Sequence, residues 1–212
     1  MTPHAPSAAP TAALPLHSCT PSEWGRAVLA EPIRLLSDHA FLEKKAASNA
    51  MELLTRWPND WMDGWIDAMT AVARDEAAHL AQVTRLLLAR GGRLDRHHKN
   101  PYANALRQLV RKGKPTELLD RLLVAALIEA RSAERFGILA ATSEDAELAT
   151  FYRMLFTSEV GHYRVFLNLA RGFTEETALC ARWQEMLAAE ARILAEQEPG
   201  PRIHSGLPAK SG

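Results

Sequence analysis

The stretch MTAVARDEAAHLAQV, residues 69–83, decides the fold. Met69, Val72, Ala73, Leu80 and Val83 recur at the spacing of one helical face. Glu76 and His79 stand in the middle of that face, where an uncompensated carboxylate is strongly unfavourable. The pattern returns in YRMLFTSEVGHYRVF, residues 152–166, where Glu159 and His162 share a face with Tyr152, Leu155, Phe156, Tyr163 and Phe166. Thirty-three residues before Glu76, Glu43 lies among Leu36, Ala40, Ala46, Ala47 and Ala50. Thirty residues before Glu159, Glu129 lies among Leu122, Ala125, Ala126, Ala133 and Phe136. Each of four long helical stripes thus turns one carboxylate inward, and the chain reads as two similar helix hairpins related by a pseudo-twofold axis.

Pro32 to Trp57 is expected to form the first long helix, ended by Pro58, with Asn59-Asp60 capping a second that runs to Arg90 and Gly91-Gly92. The third spans about Thr116 to Ala141 and the fourth about Ala146 to Arg171. Shorter helices are expected after Thr20-Pro21-Ser22-Glu23, a capping-box pattern, over Tyr102 to Arg111, and from Thr174 to about Glu196. No period-2 strand pattern occurs, so the fold class is all-α: a four-helix bundle with extra short helices packed around it. Residues 1–19, interrupted by four prolines, read as a flexible tail; the domain proper covers 20–197, and 198–212 read as a second tail. Trp57, Trp61 and Trp65 straddle a helix junction and suit packing.

Four carboxylates in one core repel each other, and the simplest compensation is two divalent cations. Glu43, Glu76, His79, Glu129, Glu159 and His162 are then the ligands: one Glu from each of two helices and a Glu-x-x-His from each of the other two. Carboxylate-rich donors with one imidazole per metal favour iron or manganese over a thiolate-type zinc site. Glu134 competes with Glu129, but about 140° of helical rotation separates them, and Glu129 has the better flanking stripe. His39, one turn before Glu43, with Asp38 beside it, and Asp75, next to Glu76, are candidates to brace the ligands from behind.

The four segments DHAFLEKKAA (38–47), RDEAAH (74–79), IEARSAERF (128–136) and SEVGHY (158–163) together resemble the bacterial tRNA 2-methylthio-N6-isopentenyladenosine hydroxylase family (MiaE) over roughly residues 22–197. The resemblance implies a ferritin-like di-iron monooxygenase. Such an enzyme hydroxylates the isopentenyl group of the modified adenosine next to the tRNA anticodon, with two iron ions as cofactor and dioxygen as co-substrate. Its metal ligands fall on the same six residues.

Lys+Arg and Asp+Glu number 25 each, a neutral balance that by itself points away from nucleic acid. The charge is unevenly spread. Between Arg85 and Lys114 there are nine Lys or Arg and one acid, Asp95, so the remainder of the chain carries the opposite excess. Arg93, Arg96, His97, His98, Lys99, Arg107, Arg111, Lys112 and Lys114 are the candidates to hold the anticodon stem-loop of tRNA, with Tyr102 or the two histidines stacking on a base. The alternatives are a solvated basic loop or a seat for an acidic electron-transfer partner. No flavin, nicotinamide or iron–sulfur motif is present, so electrons are expected from an external donor such as a ferredoxin or reductase. Two cysteines, Cys19 and Cys180, and no apolar run near ~20 residues suit a cytoplasmic protein without a membrane anchor. Rival functions are ferritin-like iron binding or storage, a rubrerythrin-like peroxidase, and a metal-free helical interaction protein.

Overall fold

A computed structural model describes residues 14–56 and 63–207, and in them the chain is all-helical. α1 spans Ser22–Leu29, α2 Pro32–Leu54, α3 Trp65–Ala89, α4 Pro101–Arg107, α5 Thr116–Thr142, α6 Ala146–Ala170 and α7 Glu176–Ala195, with a 3-10 turn at Arg171–Phe173. The expected terminator Pro58 and cap Asn59-Asp60 lie outside the described residues, as do Trp57 and Trp61. Trp65 is buried and donates its indole N–H to the Leu53 carbonyl at 3.0 Å, joining the ends of α2 and α3.

Local chemistry sets most helix ends. The Asp145 side chain accepts from the amides of Glu147 and Leu148, and that of Asn100 from Ala103. Gly91, at φ 75°, takes the left-handed conformation after α3, and Gly92 N–H returns to the Leu87 carbonyl at 3.0 Å. The expected capping box at Thr20 does not form. α1 begins one residue later, and Thr20 instead donates its backbone N–H and hydroxyl to Glu134 at 2.7 and 2.8 Å, because a partly buried carboxylate offers a better partner than a solvated first turn. Thr174 likewise makes no cap, and α4 stops at Arg107, short of the expected Arg111.

α2 pairs with α3 and α5 with α6, each as an antiparallel hairpin; α3 and α6 also meet, whereas α2 and α5 approach through side chains such as His39 on Phe136 and Glu52 with Arg121. Two apolar clusters fill the bundle. One gathers Leu53, Trp65, Met69, Leu122, Phe166 and Trp183, the other Leu35, Leu36, Val83, Leu87, Phe136 and Tyr152. The four inward carboxylates lie between them, sealed from both ends.

Both tails need correcting. Residues 199–206 are not a free end: Ile203, His204 and Ser205 are buried. Ile203 N–H donates to Asp38 at 2.9 Å, and Ser205 Oγ accepts from the Trp24 indole at 3.0 Å. A Cβ at Gly206 would lie 1.8 Å from the Gln197 carbonyl oxygen, so only glycine permits this close return. Residues 14–19 also pack: Leu14 and Leu16 join the apolar clusters, and Ser18 accepts from Arg131. Composition suggests tails here because turn-rich segments held by tertiary contacts have no periodicity to read. Residues 1–13 and 208–212 lie outside the described residues.

Candidate metal centre

Helical spacing puts Glu76 and His79 on one face of α3 and Glu159 and His162 on one face of α6, and the antiparallel approach sets Glu76 opposite His162 and His79 opposite Glu159. α2 and α5 bring Glu43 and Glu129 from the other side. All six side chains are buried. Donor atoms of Glu43, Glu76, His79 and Glu159 lie within 4.8 Å of one another, and so do those of Glu76, Glu129, Glu159 and His162. Glu76 and Glu159 belong to both groups. The arrangement is therefore two adjacent four-donor positions sharing two carboxylates, with Glu43 and His79 terminal at one and Glu129 and His162 at the other.

Both imidazoles turn Nδ1 inward. His79 Nδ1 lies 3.5 Å from Glu43 and from Glu159; His162 Nδ1 lies 2.7 Å from Glu76, without the alignment of a hydrogen bond. Buried and unbonded are Glu43 Oε2, Glu76 Oε1, both Glu159 oxygens, His79 Nδ1 and His162 Nδ1. Orphaned donors of this number at one point are what two cations would satisfy. Burial and neighbouring carboxylates push Glu129 and Glu159 well above the usual range, and burial raises Glu76 too. Burial opposes charge on His79 and His162, but hydrogen bonds and charges of the carboxylates override it and raise both to about 9. Burial would raise Glu43 as well; His39, 2.5 Å away, outweighs it and holds Glu43 low.

The bracing candidates separate. His39 touches Glu43 and is locked against Phe136, Phe151 and Tyr152. Asp75 Oδ2 lies 3.6 Å from His162 Nε2. Asp38 faces away, accepting from His98 Nε2 and from Ile203 N–H, so it anchors the C-terminal segment. Glu134 is neither ligand nor brace: it accepts from Thr20 and Arg131, on the side of α5 away from the cluster. Accordingly Glu129→Ala should lose one of two bound iron ions, whereas Glu134→Ala should keep both, read by elemental analysis of purified protein. The reverse result would return Glu134 to the centre.

A cavity of about 490 Å³ opens between α2 and α5. Glu43, Glu76, Glu129 and Glu159 line its inner end, Leu42, Ala46, Val124, Ala125, Ile128 and Phe136 its walls, and Lys45, Arg107, Arg111, Lys112 and Arg121 its outer part. Of the basic candidates, Arg107, Arg111 and Lys112 therefore reach the cavity. Arg93, Arg96, His97 and Lys99 are exposed on the 91–100 connection, and Lys114 is exposed before α5. Arg111 also spends its guanidinium on Asp120.

Two stacking candidates are corrected. His98 is held between Asp38 and Lys45 and stacks on Phe41, and Tyr102 is fully buried, donating its hydroxyl to Glu190. Lys45 and Arg121, from α2 and α5, are not legible as rim residues because they lie far from the basic segment in sequence. Ser132 and His204, 3.2 Å apart, also line the cavity; His204 comes from the segment whose composition suggests a tail.

The family described as tRNA-(MS[2]IO[6]A)-hydroxylase (MiaE) matches residues 9–205. A Pseudomonas putida protein named tRNA 2-(methylsulfanyl)-N(6)-isopentenyladenosine(37) hydroxylase is 40% identical over 189 residues, 89% of this chain and 91% of that one. A Salmonella typhimurium protein of the same name is 34% identical over 172 residues, 81% of this chain and 62% of that one. Among solved structures, one titled protein 43 with aldehyde deformylating oxygenase activity, from Synechococcus, superimposes with a TM-score of 0.84 at 33% identity, covering 93% of this chain and 98% of the other.

Proposed function

This chain belongs to the MiaE family of tRNA hydroxylases, and from that membership and the shape of the cavity we propose that it hydroxylates the isopentenyl group of 2-methylthio-N6-isopentenyladenosine next to the tRNA anticodon. The observation that carries the reading is one cavity with three zones: carboxylates inside, apolar walls between, cations outside. An alkyl chain suits the walls, and the phosphates on either side of an anticodon-loop base suit Arg107 and Lys112, which are exposed and have no ion pair among the described residues. Unpaired loop bases can leave the stack, which double-helical ones do only at a cost. The volume falls within the ~300–1,000 Å³ usual for small-molecule sites.

Glu43 and His79 would hold one iron, Glu129 and His162 the other, with Glu76 and Glu159 between them. Iron held by these residues would supply the redox chemistry that dioxygen activation needs. The chain does the rest. His39 fixes the Glu43 carboxylate, Asp75 stands behind His162, the apolar walls exclude water, and the basic rim sets how deep the nucleoside reaches. In sum, a C–H bond, dioxygen, two electrons and two protons give C–OH and water, with the electrons arriving from an external donor. Iron storage would not need a cavity with a cationic rim. No helix among the described residues is long and apolar enough to cross a membrane.

Mass spectrometry of tRNA nucleosides from cells with and without the gene tests the activity: the hydroxylated isopentenyl nucleoside should vanish, its precursor accumulating, and an unchanged nucleoside profile defeats the assignment. Reversing charge at the rim with R107E/K112E should raise KM for tRNA by ~10–100-fold and flatten the salt dependence by about one unit of log–log slope for each phosphate no longer neutralised, with kcat within about twofold. A fall in kcat at unchanged KM would place these residues elsewhere in the reaction.

A further inference from the structure

The cluster has a second side. Away from the cavity, α3 and α6 face each other across the cluster, and the covering is thin: Asp75, 3.6 Å from His162 Nε2, is 38% exposed. Partly exposed Asp75 thus lies beside a buried candidate ligand. Small residues occupy the middle of the groove, Ala78 exposed on α3 and Gly161 on α6, with Met154 exposed two turns before Gly161; a Cβ at Gly161 would meet nothing within 4 Å. On the outer crests of the same two helices stand four exposed arginines, Arg74 and Arg85 on α3, Arg153 and Arg164 on α6.

Each pair is eleven residues apart, three full turns and about 16 Å of helix. The antiparallel register that sets Glu76 against His162 also sets Arg74 against Arg164 and Arg85 against Arg153. The arginines thus mark four corners of a face centred near the cluster. Arg74 pairs with Asp75, while Arg85, Arg153 and Arg164 have no ion pair among the described residues. Between Asp67 and the end of α3, and after Glu147 on α6, Asp75 is the one acid that is not buried.

We propose that this α3–α6 face docks a small acidic one-electron carrier of the iron–sulfur type. It rests on the hydroxylase reading above for what the electrons are used for: two successive one-electron transfers, each oxidising one carrier, supply the two electrons that hydroxylation consumes. Electrons can pass through packed side chains, and a cationic rim around a centre of small and apolar residues matches an acidic protein surface. The nucleic acid has its own cationic rim on the opposite side of the bundle, over the cavity.

The test uses the full chain and an oxidised two-iron plant-type ferredoxin as probe. Titration calorimetry at low ionic strength should show binding to metal-free and iron-loaded protein alike, weakened by added salt. R153E/R164E, which alters exposed side chains without an ion pair, should weaken it at least ~10-fold and leave tRNA affinity within about twofold. In iron-loaded protein the same variant should be reduced correspondingly more slowly by reduced ferredoxin and at the parent's rate by dithionite. The proposal is overturned if the parent binds no ferredoxin, if the variant binds it as tightly as the parent, or if the variant loses tRNA affinity instead, which would make this face a phosphate surface. Salt-sensitive ferredoxin binding by a protein that takes up no iron would uphold the docking face and defeat the hydroxylase reading, so the two fail separately.

Discussion

Glu76→Ala should empty both metal positions and lower hydroxylation to background, a fall on the order of a thousandfold or more. Glu76 is shared by the two donor groups, so its loss removes one ligand from each, whereas Glu43 or Glu129 serves one alone. Metal content by elemental analysis should drop from two iron ions per chain to less than one. Stability separates this from a merely structural role. In the metal-free parent, Glu76, Glu129 and Glu159 crowd together and burial with mutual repulsion lifts their proton affinities, which is an unfavourable arrangement. Metal-free Glu76→Ala should therefore melt no lower than metal-free parent, while the parent alone gains stability when iron is added. A variant that binds two iron ions, or that unfolds without metal, would contradict the shared-ligand assignment.

Arg131→Met should cost about 3–5 kcal/mol of folding stability, the range for breaking a buried ion pair from one side. Arg131 is fully buried and bonds Glu190 through two nitrogens at 2.8 and 2.9 Å, Glu134, and both the carbonyl and hydroxyl of Ser18. One guanidinium therefore joins the N-terminal segment, α5 and α7. Burial opposes its charge, but Glu190 and Glu134 more than restore it. Methionine keeps much of the volume and leaves Glu190 buried with only the Tyr102 hydroxyl to bond it. Urea unfolding should show the loss with the slope nearly unchanged, and at ~2–4 °C per kcal/mol for a chain of this size the melting point should fall by roughly 6–20 °C. A loss under about 1 kcal/mol would mean that the segment around Ser18 is held by its apolar contacts. Iron content should stay at two per folded chain, because Arg131 lies on the face of α5 turned from the cluster.

The comparison between Glu129 and Glu134 shows how far periodicity reaches. Both lie on α5 and both could serve a metal by residue type. The stripe around Glu129 points it inward, and there it lies. Nothing around Glu134 announces Thr20 and Arg131, because those partners belong to a segment more than a hundred residues away and to a side chain whose burial only packing reveals. Asp38 and His98 illustrate the same point. Their neighbours along the chain, His39 and a basic run, suggest a ligand brace and a base stacker; the returning C-terminal segment recruits Asp38, and Asp38 in turn immobilises His98.

Spacing along the chain is enough to read the helices, their pairing into two hairpins and the six inward Glu and His side chains. These depend on the 3.6-residue period of one backbone, and two Glu-x-x-His steps within apolar stripes leave little freedom in which face turns to the core. Tertiary packing alone places Glu76 and Glu159 in both four-donor groups, leaves a cavity between α2 and α5 and brings His204, from residues 199–206, to its wall. It also decided that four arginines frame the opposite face. Each of these is a distance between elements, fixed by how side chains far apart in the chain fill a common volume, and no spacing along the chain encodes it.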